Sequence, residues 1–235
     1  MDTMYQISLL QSLTGGLYDG LITVADLKKL GDYAIGTFDG ADGELIMIDR
    51  VCYKALLDGS IIVANDKETI PFSNAFKFNK TDSLTLSCKN IKDLKEKLHK
   101  FKNEKYLNHF MIIKIKGHLN SITTRSLPKQ TKPYENTLDY IVEHEQTLKT
   151  DYNTDGTIIG ICFPPFMDKL NTTDFHMHFI SKNKLFGGHI LDLSFDDLLV
   201  EVSIKSEFKL ILSKSDEFVK KEINSSKELI KKVEE

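Results

Sequence analysis

The amino-acid sequence predicts a mixed, strand-rich α/β fold: two closely packed lobes built on mixed and antiparallel sheets with a few helices. Two observations carry this expectation. Short runs of β-branched, aromatic and aliphatic residues recur between Gly, Asp, Asn and Pro turn signals, whereas helical spacing of apolar residues is confined to a few stretches. The 235 residues, 41% hydrophobic and 28% charged, also suffice to bury a substantial core.

Taken in order, Ile7 to Leu13 reads as a short element closed by Gly15-Gly16. Thr23 is placed to N-cap a helix through Asp26-Leu27-Lys28-Lys29-Leu30, with Gly31 to end it. Tyr33 to Phe38 and Leu45 to Val51 flank Asp39-Gly40-Ala41-Asp42-Gly43, a pattern of strand, tight turn and strand. Ser60 to Ala64, Ala75 to Phe78 and Ser83 to Ser87 are further strands. Ile91, Leu94, Leu98 and Phe101 repeat at helical spacing with Lys and Glu between them, the pattern of an amphipathic helix on a core. Phe110 to Lys116 alternates as a strand, and Ile122 to Leu127 is another before a loop holding Pro128 and Pro133. The second half reads as strands over Thr157 to Phe163, Phe175 to Ile180, His189 to Phe195 and Val200 to Leu212. Ser225-Ser226-Lys227-Glu228 has capping-box spacing and predicts a helical tail. The seam between lobes is expected in 127–157.

Composition excludes several classes of function. A net charge of −3 provides no basic field for nucleic acid or anionic lipid. No apolar run approaches the roughly 18 residues that a bilayer-spanning helix needs. Cys52, Cys88 and Cys162 are odd in number, far apart and without a C-x-x-C pair, which fits a reduced compartment. The first residues lack the pattern of a secretory signal, so a cytoplasmic location is expected.

The chemistry concentrates in Asp174-Phe175-His176-Met177-His178 and in Gly187-Gly188-His189. On a strand, His176 and His178 project from one face. A turn at Asn183-Lys184 would set position 178 opposite 189 and bring the third imidazole to that face, with paired Cβ atoms roughly 4.5–5.5 Å apart. A register slip of one residue would send His189 to the other face. Three imidazoles without a nearby cysteine suit a divalent metal that keeps open positions, as in catalytic zinc sites. The plainer alternative is a hairpin carrying structural histidines. Among metalloenzymes, a cupin-like oxygenase or a hydrolase is a rival, as is a metal-binding protein without activity.

Two other segments stand out. Gly36-Thr37-Phe38 leads into Asp42-Gly43-Glu44-Leu45, and Arg125 is one of two arginines in a chain otherwise basic through lysine. A guanidinium can grip a carboxylate in a planar, two-point manner that lysine cannot copy. On their own, these residues read as an exposed turn carboxylate and a surface ion pair.

Together the segments resemble the acetolactate decarboxylase family, in order and over nearly the whole chain. The likeness begins with Tyr5-Gln6-Ile7-Ser8-Leu9-Leu10 and Leu17-Tyr18-Asp19-Gly20, then takes in the G-T-F and D-G-E segments. It continues with Arg125-Ser126, Gln130, Pro133-Tyr134, His176-x-His178-Phe179-Ile180-Ser181 and Gly187-Gly188-His189-Ile190-Leu191-Asp192. Asn171-Thr172-Thr173-Asp174-Phe175 departs from the family's usual Pro-Gly-Tyr approach to the first histidine.

The resemblance implies one such domain over 1–235, with Zn2+ on His176, His178 and His189. It implies Glu44 as an active-site acid, Thr37 near the substrate and Arg125 as the substrate-positioning arginine. A tail glutamate would reach the metal: Glu234 matches the family's Val-Glu, with Glu235 as the alternative, so the tail 225–235 would fold back to the site. It further implies acetolactate as substrate, (R)-acetoin and CO2 as products, and a homodimer. Loss of CO2 from acetolactate sends an electron pair towards the adjacent ketone and makes an enediolate. A metal can act as its electron sink, and an acid such as Glu44 must protonate it.

Overall fold

Alternating apolar residues dictate most of the chain's strands, and turn chemistry dictates where they stop. The computed structural model describes residues 2–168, 170–223 and 230. The strands are β1 (Thr3–Ile7), β2 (Ile22–Thr23), β3 (Tyr33–Thr37), β4 (Glu44–Ile48), β5 (Val51–Ala55), β6 (Ile61–Val63), β7 (Thr69–Ile70) and β8 (Phe72–Phe76). They continue with β9 (Asp82–Cys88), β10 (Phe110–Ser126), β11 (Thr147–Cys162), β12 (His176–Ser181), β13 (Gly187–Lys205) and β14 (Glu207–Ile211). The helices are α1 (Leu10–Thr14), α2 (Val24–Leu30), α3 (Ile91–Lys105), α4 (Leu138–His144) and α5 (Asp216–Lys220). The fold is therefore strand-rich mixed α/β, as the sequence predicts.

Two sheets dominate. The first has seven strands in the order β14-β1-β8-β3-β4-β5-β6, with β1 and β14 parallel and its other pairs antiparallel. The second has the order β10-β11-β12-β13-β9, all antiparallel, and a β10–β13 pairing closes four of its strands into a ring. The sheets stack through Met4, Tyr33, Ile35 and Phe76 from one, and Phe110, Ile112, Ile159 and Ile161 from the other. Helix α2 covers the far face of the first sheet through Val24 and Leu27. Helix α3 covers the far face of the second through Leu94 and Leu98. A smaller cluster of Leu10, Leu13, Phe72, Leu127, Leu138 and Ile230 gathers α1 and α4 at one end of the sandwich.

Local signals set the element ends. The Thr23 hydroxyl accepts from the Asp26 N–H and starts α2, while Asn90 caps α3 through the Asp93 N–H. Gly43 closes the β3–β4 turn at φ +73°, where a Cβ would lie 2.2 Å from the Ala55 carbonyl oxygen. Only glycine satisfies both conditions.

Three expectations change. Phe110 to Lys116 and Ile122 to Leu127 are one strand, β10, because Leu119 and Ile122, three residues apart, face the same core. The β10–β11 register is the same on either side of Asn120 and Asn153, the latter at φ +51°. Residues 127–157, read as loop, hold α4 and the first part of β11, whose polar residues 147–155 show no apolar alternation. Val200 to Leu212 divides: β13 runs unbroken from Gly187 through a bulge at Phe195–Leu198, and β14 is separate. The predicted helix from Ser225, with Glu234 and Glu235, lies outside the described residues apart from Ile230, which is buried.

Candidate metal centre and active site

The register expected of the histidine hairpin is the one found: His178 stands opposite His189, and Ser181 N–H closes the turn onto the Phe186 carbonyl. His189 in turn pairs with Arg125 on β10. Arg125, His189 and His178 thus form a row across three neighbouring strands, with His176 two residues further along β12. Ring centroids of the three histidines lie 4.7–5.4 Å apart, and one nitrogen from each falls within 4.8 Å of the others. All three are buried.

The facing sheet completes the site. Thr37 and Glu44 are paired across β3 and β4, and both are buried. The Glu44 Oε2 lies 3.5 Å from His178 Nε2, and the Thr37 hydroxyl donates to the Gly43 carbonyl at 2.7 Å. This bond fixes the turn that delivers Glu44. The five residues Thr37, Glu44, Arg125, His176 and His189 border one small cavity of about 30 Å³. Leu10, Leu13, Phe72, Leu127 and Leu138 supply its apolar wall. Every described residue that the sequence nominated is therefore in one place.

His178 Nδ1 is 3.0 Å from the Leu45 carbonyl oxygen. A carbonyl only accepts, so Nδ1 carries the proton and Nε2 presents its lone pair to the site. Burial holds the His178 imidazole neutral, down to about 3, with the Arg125 charge acting in the same direction. Burial likewise pushes His176 and His189 well below their ordinary range, assisted by Arg125 and by the neighbouring imidazoles. Neutral imidazole is the form that binds metal. His176 Nε2 and His178 Nε2 are 2.9 Å apart. Two nitrogens each about 2.0–2.1 Å from a tetrahedral ion would sit roughly 3.3 Å from one another, so the pair is close to a chelating separation. The donor set fits zinc.

Supporting residues carry little signature in the sequence. The Leu45 carbonyl is a backbone group, invisible to motif reading. Lys54 is buried and bonds Asp42 at 2.9 Å and also Glu68, anchoring the D-G-E turn from behind. The unusual approach to His176 is held at both ends. Asn171 donates to Gln6 and Asn74, while the Asp174 carboxylate takes Lys95 at 2.6 Å and His99 at 2.7 Å, both on α3. Those partners hold the Asp174 carboxyl down at about 2 against the opposing effect of burial. A wider groove of about 740 Å³, lined by Lys95, His99 and Asp174, lies between α3 and Ile190–Leu191.

Comparison with known proteins agrees with this arrangement. Residues 4–225 match the family model for alpha-acetolactate decarboxylase. The chain is 33% identical over 235 residues to the alpha-acetolactate decarboxylase of Methanosarcina mazei, covering 99% of this chain and 80% of that one. It is 32% identical over 219 residues to the Brevibacillus brevis enzyme, covering 92% and 75%. The crystal structure of alpha-acetolactate decarboxylase from Bacillus subtilis strain 168 superposes with a TM-score of 0.92 at 28% identity, over 99% of both chains. By sequence and by fold, the chain belongs to the alpha-acetolactate decarboxylase family and is a carbon–carbon lyase.

Proposed function

We propose that the protein converts (S)-2-acetolactate to (R)-acetoin and CO2 with a zinc ion held by His176, His178 and His189. The observation that carries this reading is the convergence of three buried, neutral imidazoles beside Arg125 and opposite Glu44. When bound, zinc supplies Lewis acidity for the electron pair that departing CO2 leaves behind.

The chain's own residues do the remainder. Arg125 grips the substrate carboxylate and sets the breaking C–C bond in line with the adjacent ketone, so that the released pair can delocalise. The leucine and phenylalanine wall keeps bulk water out, which strengthens every charge interaction inside. Glu44 delivers a proton to one face of the enediolate, and its fixed place on β4 makes the product a single enantiomer. Thr37 holds the Gly43 turn and borders the substrate. Glu234, or Glu235, joins from the tail as a further carboxylate at the metal. A homodimer is the assembly that the family resemblance implies, and three free, buried cysteines support a cytoplasmic location.

The test is to add acetolactate to purified protein and follow CO2 and acetoin before chelation, after chelation and after zinc is restored. Activity lost and regained with zinc supports the reading. A zinc-loaded protein that leaves acetolactate unchanged overturns it.

A further inference from the structure

Three residues of the turn between Thr37 and Glu44 have left-handed backbone: Gly40 at φ +75°, Ala41 at φ +53° and Gly43 at φ +73°. A residue with a side chain, such as Ala41, is uncommon in that conformation, so the turn depends on what holds its flanks. One flank, Phe38, directly follows Thr37, and the other, Asp42, stands just before Gly43-Glu44. A single ammonium holds both. Lys54 Nζ bonds the Asp42 carboxylate at 2.9 Å, takes the Glu68 carboxylate as well, and lies 4.5 Å from the centre of the buried Phe38 ring. Glu68 is itself anchored: the Asn65 N–H donates to its carboxylate at 2.7 Å, and the Val24 N–H donates to its carbonyl at 2.9 Å. The ammonium therefore ties the turn to a fixed point.

Register keeps Lys54 out of the cavity. It pairs with Leu45 across β4 and β5, whereas Glu44 pairs with Ala55. Successive side chains of a strand face opposite ways, and Leu45 packs with Val24 and Leu27 beneath α2. Lys54 thus lies on the α2 face of the sheet, while Glu44 lies on the face turned to His178. At 5% exposure, Lys54 is a buried charge, a kind of group that is costly unless its partners are in place. Its partners are in place here only while the turn keeps its shape.

We infer that Lys54 is the positioning residue for the proton donor: by clamping the turn from the far side of the sheet, it fixes the face from which Glu44 delivers its proton. The inference rests on the reading of Glu44 as the acid. Departure of CO2 breaks one C–C bond and leaves its electron pair spread over the enediolate. The Glu44 carboxyl then gives its proton to the carbon that bore the carboxylate, the neighbouring C–O becomes the ketone of acetoin, and solvent reprotonates Glu44. The enediolate is planar, and water can protonate it from either side. A carboxyl held on one side makes one enantiomer; a carboxyl that wanders leaves the step to water and makes both. General loosening of the fold has no such effect, because unfolded molecules make nothing and folded ones still make a single enantiomer.

The test is chiral chromatography of the acetoin made by zinc-loaded wild type, Lys54→Met and Lys54→Arg, with steady-state rates beside it. Lys54→Met keeps the apolar stem and removes the charge. It should lower kcat by about 10–100-fold, the cost of a misplaced group, with KM little changed because Arg125 still grips the carboxylate, and its acetoin should be a mixture of enantiomers. Lys54→Arg should restore both rate and purity. Asp42→Asn, which weakens the same contact from the turn, should shift both in the direction of Lys54→Met but less far. Amide hydrogen exchange over residues 38–44 reads the clamp without catalysis and should be about tenfold faster in Lys54→Met. Unchanged exchange overturns the inference. So does a Lys54→Met enzyme whose acetoin is as pure as that of an active wild type, and this result leaves the proposed function standing. A wild type that leaves acetolactate untouched overturns both.

Discussion

Mild acid should unfold the metal-free protein in a way that can be counted histidine by histidine. The three buried imidazoles are held neutral in the folded chain: His178 down to about 3, and His176 and His189 well below the ordinary range, all chiefly by burial. In the unfolded chain each titrates near 6.5. The sign follows from proton counting. Below about pH 6.5 the unfolded state binds protons that the folded state refuses, so stability is complete above that pH and falls as the medium is acidified. Between pH 7.5 and 5.5 each such histidine removes about 1.4 kcal/mol, so the three remove about 4 kcal/mol. That is a large part of the roughly 5–15 kcal/mol that keeps a domain folded. Asp174, held at about 2, contributes only below about pH 4 and leaves this window clear.

Urea unfolding of chelator-treated protein at the two pH values measures the loss. The control is His189→Gln, which keeps an uncharged polar group in place but cannot take up a proton. Its pH-dependence should be smaller than that of the wild type by about 1.4 kcal/mol. Zinc-loaded protein should hold its stability to lower pH, because ligand and proton compete for the same lone pairs. If the wild type loses less than about 1 kcal/mol across this range, or the variant loses as much as the wild type, the imidazoles are not held neutral and the argument for a preformed metal site fails.

Three substitutions address the chemistry. Glu44→Gln should lower kcat by about 10²–10⁴-fold with zinc content unchanged by metal analysis, as removal of a proton donor does. Arg125→Lys should reduce kcat/KM by about 10–100-fold in steady-state assays, because a point charge replaces the planar two-point grip on the carboxylate. Of the tail variants, Glu234→Gln should weaken zinc binding in a competition titration while Glu235→Gln should not; the reverse result would move the ligand by one residue.

Most of the site was legible because its spacing rules are local. H-x-H on a strand fixes one face, and the parity of His189 across a short turn fixes the third imidazole, so the sequence alone was enough to draw the imidazole cluster. The histidine strand and α3 were clear for the same reason, since their apolar residues keep step with one face. The first part of β11 was not. Thr147 to Asp155 is polar or exposed on both faces, because one edge meets solvent and the strand extends past its neighbours. The length of β10 was hidden by Gly117-His118-Leu119-Asn120, whose glycine and asparagine interrupt the apolar pattern although Gly117 to Leu119 pair with β11 in the same register as the rest of the strand. Lys54 and the Asp174 clamp were illegible because their partners, Glu68, Lys95 and His99, are near only after the chain has folded.

The bond from His178 to the Leu45 carbonyl shows why the geometry of the site and the packing of the sheets belong to one problem here. The imidazole rides on β12 of one sheet and the carbonyl on β4 of the other, next to Glu44, so the bond that orients the His178 ring also ties the two sheets together. A buried polar contact of this kind contributes only about 0.5–1.5 kcal/mol while it is made, yet leaving either partner unmatched costs about 1–3 kcal/mol. The sheets cannot slide by even one residue without stranding both groups and turning Glu44 away. The site is thus held in register by the same stacking that buries Ile35 against Ile112 and Ile159. Loop motion alone could not keep three imidazoles, a guanidinium and a carboxylate within reach of one small substrate; two stacked sheets can, because each side chain leaves a backbone that the core has already fixed.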